Sequence, residues 1–157
     1  LARGGRPFHA ALVGGGSMHL QIRALRARLG LADRVTIMDG LVDAPEMVAG
    51  FDAALYVPLE SDGMSRVLFE YLAAGRPVVA SRVGVVPEVL VDRESGLLVR
   101  GGEAGALADA VEALLADPGL GVRLGKAGRD LVERRLSGAR VAEALAARYA
   151  ALATPTA

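Results

Sequence analysis

The 157-residue chain has no cysteine and no tryptophan, and only 4% of its residues are aromatic. Without cysteine there is no disulfide framework, no thiolate metal site and no thiol nucleophile. Charge of one sign is not in excess: eighteen basic residues face eighteen acidic ones. The composition therefore gives no support for broad binding to nucleic acid through phosphate neutralisation. No apolar run approaches the roughly 18–20 residues needed to span a membrane. The first residues, Leu1-Ala2-Arg3-Gly4-Gly5-Arg6-Pro7, carry no initiator Met and no apolar signal-peptide region. The expectation is a cytoplasmic piece of a longer chain. Lys126 is the sole lysine, a skew that reads as genome bias and carries no functional weight.

What is present is a good core composition. Half of the residues are hydrophobic, 52%, which excludes a disordered chain. The twenty glycines have no three-residue period, so the sequence is not collagen-like. The length suits one domain that folds without disulfides or metal.

Short apolar runs alternate with longer amphipathic ones. Strands are expected at 8–13, 34–38, 53–57, 77–80 and 97–99. Helices are expected from a Ser17 cap to Leu29, from an Asp43 cap to Ala49, over 63–74, in a short piece before Leu90, over 103–116, over 120–136 and over 137–152. Alternating strands and helices imply right-handed crossovers and an α/β fold: a Rossmann-like, three-layer parallel sheet with helices on both faces, followed by C-terminal helices. The strands are continuous apolar runs, as a sheet buried on both faces requires. Ligands of such sheets bind outside the carboxyl ends of the strands. Those ends are 14–17, 39–43, 58–65, 81–87 and 100–102.

Two segments stand out. Gly14, Gly15 and Gly16 join a strand to a helix, where bare amides can receive an anion. The loop lacks the Lys-Ser/Thr of a nucleoside-triphosphatase, and His19 stands where a dinucleotide fingerprint needs its third glycine. A tight turn and a ligand-facing loop both remain open. The second segment runs from Pro58 to Ala80. A loop delivers Asp62 to a helix start, and Glu70 lies eight residues on, about 12 Å along the axis and roughly 80° round. Between them Gly63, Met64, Ser65 and Arg66 present first-turn amides, where the helix end carries about half a positive charge. A pyrophosphate would be stabilised there, and the carboxylates would accept from sugar hydroxyls. The plainer alternative makes Asp62 an N-cap and Glu70 the i, i+4 ion-pair partner of Arg66. Against it, Glu70 interrupts the otherwise apolar run from Val67 to Ala74.

From about Phe8 to Ser137 the chain resembles the C-terminal, donor-binding lobe of family 4 retaining glycosyltransferases, which have the two-lobed GT-B fold. The resemblance lies in Leu12-Val13-Gly14-Gly15-Gly16, Leu29 to Ile37, Phe51 to Leu55, Glu70 to Ser81, Gly84 to Val89 and Ser95 to Val99, in family order. It implies a domain, residues 1–157, that binds a nucleotide-diphosphate sugar. Glu70 would contact the nucleotide ribose. Asp62 would stand for the family's first Glu, one methylene shorter, and contact the donor sugar. Glu60, ten positions before Glu70, does not fit that spacing. Gly63, Met64, Ser65, Arg66 and Val67 would meet sugar and phosphates, although the family usually has a second Gly where Ser65 stands. Gly14, Gly15 and Gly16 would approach the donor, and Leu41 and Val42 would cradle the base. No metal and no cofactor are implied. His9 and His19 lack a third ligand, and His9 reads as a structural histidine. Glu88 fits first-turn stabilisation, and Arg134-Arg135 a solvated face.

The family lobe usually begins with one more strand and helix, bearing an Arg and a Lys for the pyrophosphate. With the strand order 3-2-1-4-5-6 that strand is central. The chain is thus expected to be a lobe lacking its first strand, with Phe8–Val13 short of a neighbour. Arg66 or Arg82 would then stand in for the lost charges. The partners implied are the donor and the missing N-terminal lobe, and peripheral membrane association of the full-length enzyme is left open. In that enzyme the lobe would serve retaining transfer to an acceptor hydroxyl; alone it is expected to be inactive. Two rivals are a catalytically inactive nucleotide-binding or interaction module left by truncation, and a two-lobed sugar-nucleotide epimerase.

Overall fold

The computed structural model describes residues 1, 5–39, 44–60, 63 and 66–153. The chain forms two compact units, 1–47 and 48–157.

In the first unit, β1 (Ala10–Val13) pairs in parallel with β2 (Val35–Met38), joined through α1 (His19–Arg28). The expected strands are confirmed but start later, by two residues in β1. The helix does not begin on a Ser17 cap. Its N-cap is Met18, which makes no side-chain cap bond, and Ser17 lies in a turn closed by His19 N–H donating to the Gly16 carbonyl. His9 is held by Thr36, 2.7 Å from Nε2 to the hydroxyl, which supports the structural reading of that histidine.

α2 (Ala44–Ala49) leads into the second unit. Its expected cap, Asp43, lies outside the described residues. There β3 (Ala54–Tyr56), β4 (Val78–Ser81) and β5 (Leu97–Val99) form a parallel sheet in that order. Between them run α3 (Arg66–Ala73) and the short α4 (Val86–Val89). After β5 come α5 (Ala104–Ala116), α6 (Pro118–Leu131), a π-helical turn (Val132–Leu136) and α7 (Gly138–Ala153).

All four residues of β4 are buried, because helices cover both faces of this sheet. Val78 and Ala80 face the cluster made with Leu68 and Leu72 of α3, together with Ala54, Val86, Leu90 and Leu98. Val79 faces the other way, into Leu97, Val99, Leu114 of α5 and Leu124 of α6. The period-2 alternation of a strand sends neighbours to opposite faces. Full burial of a Val or Leu side chain is worth about 1.5–3 kcal/mol.

Asp117-Pro118-Gly119 was expected to be a gap between helices. Instead Asp117 caps α6, accepting from the Leu120 amide at 3.0 Å, with Pro118 in the first turn. Pro tolerates that position because its missing N–H has no intrahelical partner there. α6 approaches the turn after α3 very closely. A Cβ on Gly125 would lie 2.2 Å from the Gly75 carbonyl oxygen, and one on Gly128 would lie 2.7 Å from Leu72.

Candidate functional site

The second unit carries Glu70. α3 has its apolar stripe at Leu68 and Leu72, the only buried residues of that helix. Glu70 is two residues from each, so it lies about 160–200° round the helix from them. Even so it is half-buried. Among the described residues it makes no ion pair and no side-chain hydrogen bond. The i, i+4 pair with Arg66 does not form, and Arg66 is exposed. Burial, and then the Glu70 charge beside it, raises the Tyr71 phenol above its ordinary value of 10.0. A carboxylate held this way can accept hydrogen bonds from ligand hydroxyls.

The loop before α3 is only partly described. Asp62, Met64 and Ser65 lie outside the described residues, as do Leu41 and Val42. Gly63 has φ +84, a left-handed conformation that excludes it from the helix. The helix begins at Arg66, so the expectation that Gly63 belongs to its first turn is corrected. Val67 is half-buried on α3. Arg82 is engaged by Asp92 at 2.7 Å, whose other oxygen accepts from the Leu98 amide at 2.8 Å. That carboxylate already offsets the Arg82 charge.

In the first unit, Gly14, Gly15 and Gly16 line a cavity of about 340 Å³ with Leu12, Ser17 and Ile37 among the walls. Gly14 has φ +126, and its amide extends the ladder to the Met38 carbonyl at 3.1 Å. Gly15 and Gly16 are different. A Cβ on either would meet nothing within 4 Å, and neither has a positive φ. The turn itself therefore needs glycine only at Gly14. Beside the loop, His19 Nδ1 lies 2.8 Å from Asp39, and Arg23 reaches the same carboxylate at 3.0 Å. Arg23 Nε also donates to His19 Nε2. Both ring nitrogens are thus occupied, and among the described residues no three metal-ligating side chains cluster.

A second cavity in the second unit, about 160 Å³, lies at the ends of β3, β4 and β5. Its lining includes Ser81, Arg100 and Glu103, none of which the sequence marked as site residues. The sequence did mark three of its borders, 58–65, 81–87 and 100–102, as strand ends where a ligand belongs.

Residues 1–117 match the family described as "Glycosyl transferases group 1". The chain belongs to that family. It is 36% identical over 151 residues to a GDP-mannose-dependent alpha-(1-6)-phosphatidylinositol monomannoside mannosyltransferase of Mycolicibacterium smegmatis; the match covers 88% of this chain and 39% of that protein. It is 40% identical over 114 residues to a D-inositol 3-phosphate glycosyltransferase of Pseudarthrobacter chlorophenolicus, covering 71% of this chain and 27% of the relative. The crystal structure of Anabaena Alr3699/HepE in complex with UDP superposes with a TM-score of 0.81 at 24% identity, over 93% of this chain and 43% of that one. This group 1 chain therefore spans well under half the length of these relatives. Its α/β architecture, with parallel strands and helices on both sides, is that of GT-B glycosyltransferases. Among the described residues no helix is long and apolar enough to cross a membrane.

Proposed function

We propose that residues 1–157 are the donor-binding lobe of a retaining, family 4 glycosyltransferase and bind a nucleotide-diphosphate sugar. The observation that carries this reading is Glu70, a half-buried carboxylate without an ion pair or side-chain hydrogen bond among the described residues, set in an otherwise apolar helix stretch. Glu70 receives the ribose hydroxyls. Asp62 orients the donor sugar, and Gly63, Met64, Ser65, Arg66 and Val67 border sugar and phosphates. On family correspondence alone, Gly14, Gly15, Gly16, Leu41 and Val42 are further donor contacts. The relative named for GDP-mannose and the neighbour crystallised with UDP support a sugar nucleotide as the ligand class.

In the full-length, cytoplasmic enzyme a missing N-terminal lobe brings the acceptor hydroxyl, which is the nucleophile; peripheral membrane association would come through that enzyme. The lobe contributes positioning and electrostatic stabilisation of the departing diphosphate, without a metal or cofactor. Alone it turns nothing over. Calorimetric titration with UDP, GDP and ADP tests the reading. At least one should bind, and Glu70→Gln should weaken it about tenfold, the loss of a hydrogen bond to a charged group, with Tm unchanged. If none of the three binds, the interaction-module reading replaces this one. Retention is checked on the full-length enzyme by the anomeric configuration of its product.

A further inference from the structure

We propose that His19 is a positioning residue for the donor: bridged to Asp39 and Arg23, it holds the loop of Gly14, Gly15 and Gly16 in the shape that receives a nucleotide. This role rests on the donor reading above and adds to it a residue that the family correspondence does not supply.

The segment from Gly14 to His19 is fastened at both ends to two consecutive residues where β2 stops. At one end the Gly14 amide donates to the Met38 carbonyl at 3.1 Å. At the other, His19 Nδ1 lies 2.8 Å from an oxygen of Asp39. Between these ties, Gly15 and Gly16 have open space where a Cβ would lie. Both line the cavity of about 340 Å³, and so does His19. Glycine has more backbone freedom than any other residue, so a loop containing two of them takes its shape from its ends.

The start of α1 depends on this side chain more than on its cap. Its N-cap, Met18, makes no side-chain cap bond, and its first turn holds no acidic residue. Asp39 also stands at the root of a second donor segment, since Leu41 and Val42 follow it by two and three positions. One carboxylate is thus tied to the glycine loop through space and to the proposed base contacts through the chain.

The bridge also fixes the state of the ring. Arg23 Nε donates to His19 Nε2, and a guanidinium has protons to give but no lone pair to accept with. Nε2 is therefore bare, and the ring proton sits on Nδ1, donated to Asp39. Arg23 Nη2 reaches the second oxygen of that carboxylate at 3.0 Å, which closes the triangle. The His19 side chain is 20% exposed, against 44% for Arg23 and 54% for Asp39, so the ring is the inner member and the two ions are the outer ones. Exposed ion pairs add little to global stability. Holding a loop in its bound shape adds to affinity instead, because the loop is already ordered when the ligand arrives.

The test titrates UDP, GDP and ADP into the whole chain and into His19→Ala and His19→Asn by calorimetry, with thermal unfolding of each variant. His19→Ala should weaken the tightest of the three nucleotides about fivefold, the upper end for an exposed pair, with Tm unchanged. His19→Asn should recover most of that loss, because its amide N–H stands where Nδ1–H stood and can donate to Asp39. A role confined to folding would move Tm and not produce this rescue. On the unmodified chain without ligand, long-range proton–nitrogen spectra should show the His19 ring protonated at Nδ1 and bare at Nε2. If the unmodified chain binds none of the three, the donor reading falls and this role falls with it. If it binds and folded His19→Ala binds equally well, this role alone is overturned. It is equally overturned if His19→Asn binds no better than His19→Ala, or if the ring carries its proton on Nε2.

Discussion

At the residue scale the question is which side chains the fold explains and which it does not. Gly14 is explained by its left-handed φ, but Gly15 and Gly16 have neither a special conformation nor a close neighbour. Gly15→Ala should thus leave Tm unchanged or raise it, by the equivalent of about 0.4–1 kcal/mol from the lost unfolded-state entropy. If the loop faces a ligand, the same change should lower nucleotide affinity, and calorimetry alongside Tm separates the two roles. Unaltered affinity would make the loop a turn and nothing more. Tyr71 gives a pH signature. Its folded pKa is raised, so the neutral phenol is favoured and its contribution to stability is fully present below pH 10. It is lost as pH rises through the folded value. An ultraviolet titration should place the Tyr71 ionisation above the ordinary value of 10.0, and Glu70→Gln should bring it part of the way down. Only part is recovered because burial is the larger cause. Glu70 was legible in the sequence because a carboxylate broke an apolar run. Ser81 was not, because a single hydroxyl at a strand end has no period. Its burial at the end of β4 appears only once the fold is known.

At the element scale, the sequence conveyed order and type better than junctions. The five strands were legible as continuous apolar runs, and both faces of β4 are in fact buried. Helix starts were harder to read. Ser17 looks like a cap, but the carbonyl of Gly16 closes the turn first. At Asp117-Pro118 the stop of one helix and the start of the next use the same residues, and chain order alone does not say which signal wins. The packing of α6 was also hidden: Gly125 reads as a weak spot in a helix, yet it lets α6 reach the backbone at Gly75. Gly125→Ala improves intrinsic helix propensity by about 1 kcal/mol. It also places a methyl group against a carbonyl that has no room to yield. Overpacking costs typically 1–3 kcal/mol, and contact with backbone belongs at the upper end. The net expectation is a loss of about 1–2 kcal/mol, read as a lower midpoint in urea at unchanged slope.

At the scale of the molecule, the two units differ in how they are held. Among the described residues the buried side chains, from Val48 to Leu124, all belong to the second unit, and none up to Met47 is buried. A segment of that size without a closed core is marginal, since small domains bury too little surface to offset chain entropy. β1 pairs only with β2 among the described strands, and Leu12, Val13, Leu20, Leu25 and Leu29 are exposed. Unfolding of the whole chain should therefore depart from two-state behaviour. Native-state hydrogen exchange resolves this. Amides of β4, β5 and α6 should exchange only through opening of the second unit, with the largest protection. Amides of β1 and β2 should exchange orders of magnitude faster, through local opening of small free energy. A nucleotide whose contacts include Gly15 and Gly16 would raise protection in β1 and β2 in proportion to its occupancy. Equal protection in both units, with one denaturant slope for all amides, would mean that the first unit draws stability from contacts its burial pattern does not supply.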